Sequence, residues 1–503
     1  MKRYLSPVLA AFALLATTAM PCASAWAQDS SLRGGFGGFG DDDGLQDATD
    51  AEQGAESRSG QAGSAANAAT GTRGTISETG TDAGEEAEAL ADVGRVRPVQ
   101  PFSERLRAVQ RRTAIVGGGT LAETVYDGET TRDAPRGIRV GSFLLYPELF
   151  TGLGWTDNRE GDASGTSGAT YRVAPSIRLQ SDWSRHRLGI NFRGSYVGYP
   201  GSGNVEADPN VTSDALLTLE VGDRSEIDID ARYGLALEDS GTAESTGGDQ
   251  DIHELGAGLA LRRDLGLVGA ELRGRVDSTL YSGVGGAVAD RERDNALATV
   301  TLRVEGNTGA FVAPFAEASL LGRRYFEKCP DLTLCADRDS RGYGLRAGVA
   351  FDNGGKISGD IAVGWRSETL DDKRLAKLEG LTVDGSLVWS PTRLTTVTAL
   401  ASTDFSPSTI SGTPGSVIYS GDIRLAHGLS DALSGEVGLG YSWRDYTGVV
   451  LTEQEARATT ALTWALTSNV ALQGRYTYRR FISSTAGAGY DSNTIEAGLR
   501  FRH

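Results

Sequence analysis

In residues 140 to 503 the connections between short alternating segments switch strictly between brief turns and long polar loops. A closed up-and-down β-barrel that spans a bilayer is the fold that imposes this rhythm. Each segment supplies about ten residues of apolar and polar positions in turn, the length that crosses a membrane at a tilt of about 45°. The short connections read DWSRHR (182 to 187), GDRS (222 to 225), RRDLG (262 to 266), GNTG (306 to 309), DNGG (352 to 355), SPTR (390 to 393), GLSD (428 to 431) and TSN (467 to 469). Gly supplies positive φ, Asn and Asp bond to nearby backbone, and Pro391 presets its own φ, so each can reverse the chain within a few residues. Spans such as 156 to 170, 199 to 213, 238 to 251 and 403 to 416 are longer and rich in Gly, Ser, Thr and Asp. Eight turns and nine loops require about 18 strands (16 to 18), all antiparallel, with the short turns and both chain ends on the periplasmic rim.

A barrel in lipid puts every second side chain into hydrocarbon and the rest into its lumen. In 225 to 238 the apolar set is Ile227, Ile229, Ala231, Tyr233, Leu235 and Leu237, and Glu226, Asp228, Asp230 and Arg232 face the other way. Tyr343, Leu345, Ala347, Val349 and Phe351 repeat the pattern, as do Ile495, Ala497, Leu499 and Phe501 against Glu496, Gly498 and Arg500. For 310 to 321 the phase is set by keeping Glu317 out of lipid, which sends Val312, Pro314, Ala316, Ala318 and Leu320 outward.

A soluble β-solenoid or a pair of sandwiches would also alternate, but the tryptophans favour the membrane. Trp155, Trp365 and Trp443 fall at strand ends beside long loops, and Trp183, Trp389 and Trp464 at or near ends joined by short turns, as two interfacial girdles require. Beyond the N-terminal leader there is no run of eighteen apolar residues to form a transmembrane helix.

That leader occupies residues 1 to 27. Lys2 and Arg3 precede an apolar stretch and small residues ending in Ala25-Trp26-Ala27, an A-x-A cleavage signal that makes Gln28 the first mature residue. Cys22 is read as removed with it, because Met20 and Pro21 do not fit a lipobox. The mature chain then keeps Cys329 and Cys335, in KCPDLTLC within one long loop. An oxidising envelope, an even count and short spacing predict a disulfide staple there, and without a His cluster nearby no metal site is expected. Residues 28 to 94 carry fourteen acidic residues against three arginines among Gly, Ala, Ser and Thr, and are expected to remain a disordered acidic arm. The linker 95 to 139 reverses the charge, with Arg95, Arg97, Arg105, Arg107, Arg111 and Arg112 against Glu104 up to residue 112, where 101 to 112 suits a short amphipathic helix.

The segment FLLYPELFTGLGWTDN (143 to 158), an opening strand with a central Pro, a Gly-x-Gly and an Asp-Asn into the first loop, resembles the start of the outer-membrane family called β-barrel porin type 2 of Gram-negative bacteria. The resemblance covers nearly all of 140 to 503. It implies an outer-membrane location and a porin-like role, sometimes associated with exopolysaccharide production, with no established substrate.

The strand phase assigns to the lumen Arg172, Arg178, Arg193, Arg232, Arg273, Arg275, Arg303, Arg346, Arg366, Arg424, Arg475 and Arg500, with Glu148, Asp228, Asp230, Glu271, Asp277, Glu317, Asp360, Asp384, Asp422, Glu436 and Glu496. These charges either line a polar channel with a transverse field or pair across strands and satisfy one another. A catalytic reading needs a nucleophile or water-activating group beside a base, and His186, His253, His427 and His503 do not converge in sequence. Asp249, Asp251, His253 and Glu254 form a local cluster that a hydrated loop explains more simply than a hydrolase site. No catalytic, cofactor-binding or metal residue is therefore assigned, and no cofactor is expected.

Three functions follow, in descending order. The first is a passive or weakly selective porin for small hydrophilic solutes, mildly favouring cations because Glu238, Asp239, Glu244, Asp249 and Asp251 crowd one loop. The second is an accessory component of exopolysaccharide export or surface assembly, and the third a barrel hydrolase near His253. The expected partners are outer-membrane lipid and lipopolysaccharide, the barrel assembly machinery and a periplasmic partner for the acidic arm; no nucleic acid is expected.

Overall fold

The computed structural model describes residues 137 to 503 except 201–206, 223, 239–241, 245–249, 284–292, 307–310, 328–335, 353–355, 393 and 431. A three-residue strand β1 (Ile138–Val140) precedes eighteen long ones. These begin with β2 (Phe143–Thr156), β3 (Gly168–Ser181), β4 (Arg187–Gly198), β5 (Asp208–Glu220), β6 (Ser225–Leu237) and β7 (Gln250–Asp264). The ring continues through β8 (Val268–Gly283), β9 (Asn295–Gly306), β10 (Val312–Tyr325), β11 (Ser340–Asp352), β12 (Ile357–Leu370) and β13 (Leu378–Thr392). It ends with β14 (Thr395–Pro407), β15 (Gly415–Ser430), β16 (Leu433–Tyr446), β17 (Thr452–Ala465), β18 (Val470–Ser483) and β19 (Tyr490–Arg502). Every long strand pairs antiparallel with its sequence neighbours, and β19 pairs with β2 from Thr494–Thr156 to Arg502–Glu148, closing an 18-stranded barrel. Closure removes the open edges that a flat sheet would expose, as lipid demands of backbone polar groups.

All eight expected turns fall between consecutive strands on one rim. Two show the glycine requirement directly: Gly222 and Gly266 reverse the chain with φ of 69° and 95°. On the other rim the strands run further than the sequence reading allowed. Residues 168–170 lie in β3, 208–213 in β5, 250 and 251 in β7, and 403–407 with 415 and 416 in β14 and β15. The connections 408–414, 447–451 and 484–489 are consequently little longer than the turns opposite. Alternation of hydropathy ends where the bilayer ends, whereas backbone pairing does not; Phe405 and Pro407, for instance, still pair with Val417 and Gly415.

β1 straddles residue 139 and borders the barrel wall. Pairing of β19 with β2 stops at Glu148, which leaves residues 143 to 145 of β2 without a neighbour on that side. The chain turns at Gly141 (φ 63°) and lays Ile138, Arg139 and Val140 against Leu145, Leu144 and Phe143. A short strand thereby covers an edge.

The predicted phase holds around the ring. Ile229, Leu345, Leu320 and Ile495 are 43%, 57%, 58% and 58% exposed, while Asp228, Asp230 and Arg500 are buried on the inner face. The six tryptophans Trp155, Trp183, Trp365, Trp389, Trp443 and Trp464 are all exposed, in two bands near opposite rims. Trp443 stacks on Tyr419, and Trp183 packs edge-on against Phe143 and donates to Ser142 Oγ at 3.2 Å. Buried apolar clusters are small, such as Phe315 with Ala350 and Ala362, because the large apolar side chains belong to the outer face.

Candidate functional site

The inner wall is a lattice of ion pairs organised by β7, whose inward positions 256, 258 and 260 carry almost no side chain. Gly256, Gly258 and Ala260 form a low floor, and register sets Arg232, Asp230 and Asp228 of β6 on one side of it and Asp277, Arg275 and Arg273 of β8 on the other. The signs are opposite at every rung. Arg232 reaches over Gly256 to Asp277 at 3.0 Å, and Arg275 over Gly258 to Asp230 at 2.7 Å. Arg275 also holds Asp277 at 2.9 Å. The glycines are necessary here: a Cβ at Gly256 would lie 2.5 Å from Asp277 Oδ1 and 2.7 Å from Arg232 Nε, and one at Gly258 would collide with the Asp230 carboxylate. Nearer the short-turn rim Arg262 takes the central place, joining Glu271 at 2.6 Å, Glu226 at 3.0 Å and Asp228 at 3.5 Å. Arg273 closes on Glu271 at 2.9 Å, and Thr218 donates to Asp228 at 2.7 Å.

The lattice continues around the wall. Glu317 of β10 lies between Arg303 of β9 (2.9 Å) and Arg346 of β11 (2.6 Å), and Arg346 extends to Asp384 of β13 at 2.6 Å. Arg303 covers the ring of Phe315 at 3.6 Å. Across the closure, Arg500 pairs with Glu148 at 2.9 Å and donates to Gln473, while Arg172 approaches Glu496 at 3.5 Å. Arg475 lies opposite Glu496 in register, Arg178 sits over the Tyr146 ring at 5.0 Å, and Arg193 occupies the inner face opposite Ser176 and Thr212. Arg178, Arg193, Arg475 and the residues of these ion pairs share the inner face, and most of the pairs join different strands. A wall of paired charges is stiff and wettable but carries little net field.

Of a second belt near the long-loop rim, sequence reasoning assigned only Arg366 to the lumen. Arg293 pairs with Glu238 and donates to Gln250 at 2.7 Å; Arg366 holds Glu368 at 2.5 Å beneath Ser340; Arg444 and Tyr446 converge on Glu453; and Arg479 reaches Glu455 at 2.9 Å. Glu238 and Gln250 stand in the span 238 to 251, read as a loop. Their signal was the same period-two alternation carried past the tryptophan band.

The cluster read around His253 separates. His253 lies on the outer face with Tyr233 Oη at 3.0 Å and Ser282 Oγ at 3.1 Å from its two ring nitrogens, whereas Glu254 points inward and is buried. Adjacent residues of a strand face opposite ways, so this acid and this base share no site. Cys329 and Cys335 and residues 1 to 136 lie outside the described residues, as do Asp239 and Asp249. At the rim, burial opposes ionisation of Asp162, but hydrogen bonds from Ser164 Oγ and the Gly165 and Ser164 amides keep its carboxyl below the ordinary value. Hydrogen bonds from the Arg374 side chain and amide hold Asp372 at about 2.

Among solved structures, the barrel is similar to the outer membrane protein OpdK of Pseudomonas aeruginosa, with 12% identity over 71% of this chain and 99% of that one and a TM-score of 0.37. It is also similar to the FrpB iron transporter of Neisseria meningitidis (8% identity, 73% and 82% covered, TM-score 0.38) and to the siderophore receptor PiuA of Acinetobacter baumannii (10%, 73% and 82%, 0.35). No curated protein matches the chain at comparable significance. The family described as "Putative beta-barrel porin 2" matches residues 133–503, the entire barrel and its preceding short strand. The chain belongs to that family of β-barrel porins.

Proposed function

We propose that the protein is an outer-membrane porin that lets small hydrophilic solutes pass with weak selectivity. The observation that carries this reading is the closed ring of eighteen strands whose inner face is polar and bears a lattice of cross-strand ion pairs. Barrels of this strand number enclose an aqueous lumen. Paired charges attract water without favouring one ion strongly, and the bias that remains comes from the entrance. There Glu238 is neutralised by Arg293 and Asp251 stands on the outer face, so the acidic loop contributes less than its composition suggests. Asp162 stays ionised, and the preference leans slightly to cations. Purified barrel in a planar bilayer is expected to conduct, with a small reversal potential of cation-selective sign that shrinks further as salt rises. Absence of current, with and without residues 28 to 139, would transfer the case to the export-accessory reading.

The short-turn rim is assigned to the periplasm, which places residues 28 to 139 there after removal of a leader ending at Ala27, and a Cys329–Cys335 disulfide in a surface loop. In a variant with both cysteines replaced by serine, single cysteines at Ser164 and Ser484 are expected to react with an impermeant thiol reagent on intact cells. A cysteine at Ser468, on the opposite rim, is expected to react only after the outer membrane is opened. Labelling in the reverse pattern would invert the topology.

A further inference from the structure

The described part of the connection between β6 and β7, residues 242 to 244, does not stay above its own strands. Its described residues Thr242 and Glu244 are buried, and the Ala243 amide donates to Glu453 Oε1 at 2.7 Å. Glu453 belongs to β17, seven strands away from β6 one way round the ring and ten from β7 the other way. The hydrogen bond therefore bridges nearly opposite walls. The receiving carboxylate is prepared for it: Tyr446 Oη donates to Glu453 Oε2 at 3.1 Å, Arg444 lies 3.5 Å from the same oxygen, and Tyr446 in turn receives Arg444 at 3.1 Å. Arg444, Tyr446 and Glu453 are all buried. One carboxylate oxygen is thus held by the wall and the other is turned towards the incoming amide, an arrangement in which a charged acceptor makes the bond strong. At its base the same connection is fixed by Arg293, which clasps Glu238 and Gln250 at the two strand ends.

We propose that residues 242 to 244 form a fixed crossbar over the barrel mouth, docked on Glu453 and dividing the entrance, so that this docking sets the largest solute the pore admits. The docking stands on geometry alone, and its effect on solute size rests on the porin reading above. Burial of Glu453, and of Thr242 and Glu244 on either side of the donating amide, argues for a permanent crossbar, since an exposed loop bond would exchange with water.

Two measurements separate the parts. In a background with Cys329 and Cys335 replaced by serine, Thr242→Cys is combined with Ser483→Cys, which faces Glu453 in register on β18. A short bifunctional maleimide is expected to join this pair. A Thr242→Cys/Ser340→Cys pair, with its second cysteine on β11 elsewhere on the same rim, stays unjoined. Adding Ala243→Pro, which removes the donating N–H without altering the wall, or Glu453→Ala, which removes the acceptor, abolishes the crosslink. Each variant is checked for folding by its heat-modifiable gel mobility. In planar bilayers the same two changes raise single-channel conductance by up to about twofold and shift the polymer size that still enters upward. Lack of crosslinking in the parent pair overturns the docking, and unchanged polymer exclusion on release overturns the size-limiting role. Crosslinking without current in any variant upholds the docking and removes the porin reading instead.

Discussion

Arg275→Leu is expected to destabilise the barrel by about 3 to 5 kcal/mol, the scale of breaking a buried ion pair from one side. The guanidinium holds Asp230 at 2.7 Å and Asp277 at 2.9 Å, and its side chain is only 2% exposed. Asp277 keeps Arg232 at 3.0 Å after the change, but Asp230 has no second ion-pair partner among the described residues and is left buried and charged. The penalty belongs to the abandoned carboxylate more than to the lost attraction. Arg275→Leu combined with Asp230→Leu should therefore cost clearly less than the single change, because it removes both charges and leaves apolar volume in their place. Urea unfolding of the barrel refolded into lipid vesicles measures both. Equal penalties for the single and double variants would show that the rung over Gly258 is not what holds this part of the wall. The same rung means that Asp230→Asn is no mild polar change, since it strips Arg275 of its closest partner.

Strand phase was legible because lipid punishes an error at every second residue. Ile229 and Asp230 are adjacent, and only one assignment keeps the carboxylate out of hydrocarbon. The pairing of the inward charges was not legible. Arg232 meets Asp277 across an intervening strand, and nothing in the spacing of charges along the chain encodes a partner two strands away. The usable signal was a pattern of small residues: Gly256, Gly258 and Ala260 occupy consecutive inward positions between two strands of complementary charge. Loop limits failed for a different reason. Beyond the bilayer a strand needs only backbone partners, so 403–407 and 415–416 carry the polar composition of a loop while pairing as strand. The Ala243–Glu453 bond depends on closure of the ring, which brings together residues that no local window contains.

Ile229→Arg is expected to cost about 2 to 4 kcal/mol, the penalty for a cation on the lipid face near the midplane of a barrel. Ile229 is 43% exposed on the outer face of β6, between Leu217 of β5 and Leu259 of β7, and its cross-strand neighbours on that face are apolar and offer no carboxylate among the described residues. Thr459→Arg supplies the matched control. Thr459 is the same type of mid-strand position on β17 but faces inward beside Gly438, where a long polar side chain meets water and the existing lattice, and its cost should be small. Introducing one side chain on both faces separates the effect of the environment from that of the substitution. Folding into vesicles of two bilayer thicknesses sharpens the contrast, because deeper hydrocarbon increases the penalty only for the outward arginine. Similar costs at the two sites, unaffected by thickness, would mean that the outer face is not in lipid and that the barrel stands in water on both sides of its wall.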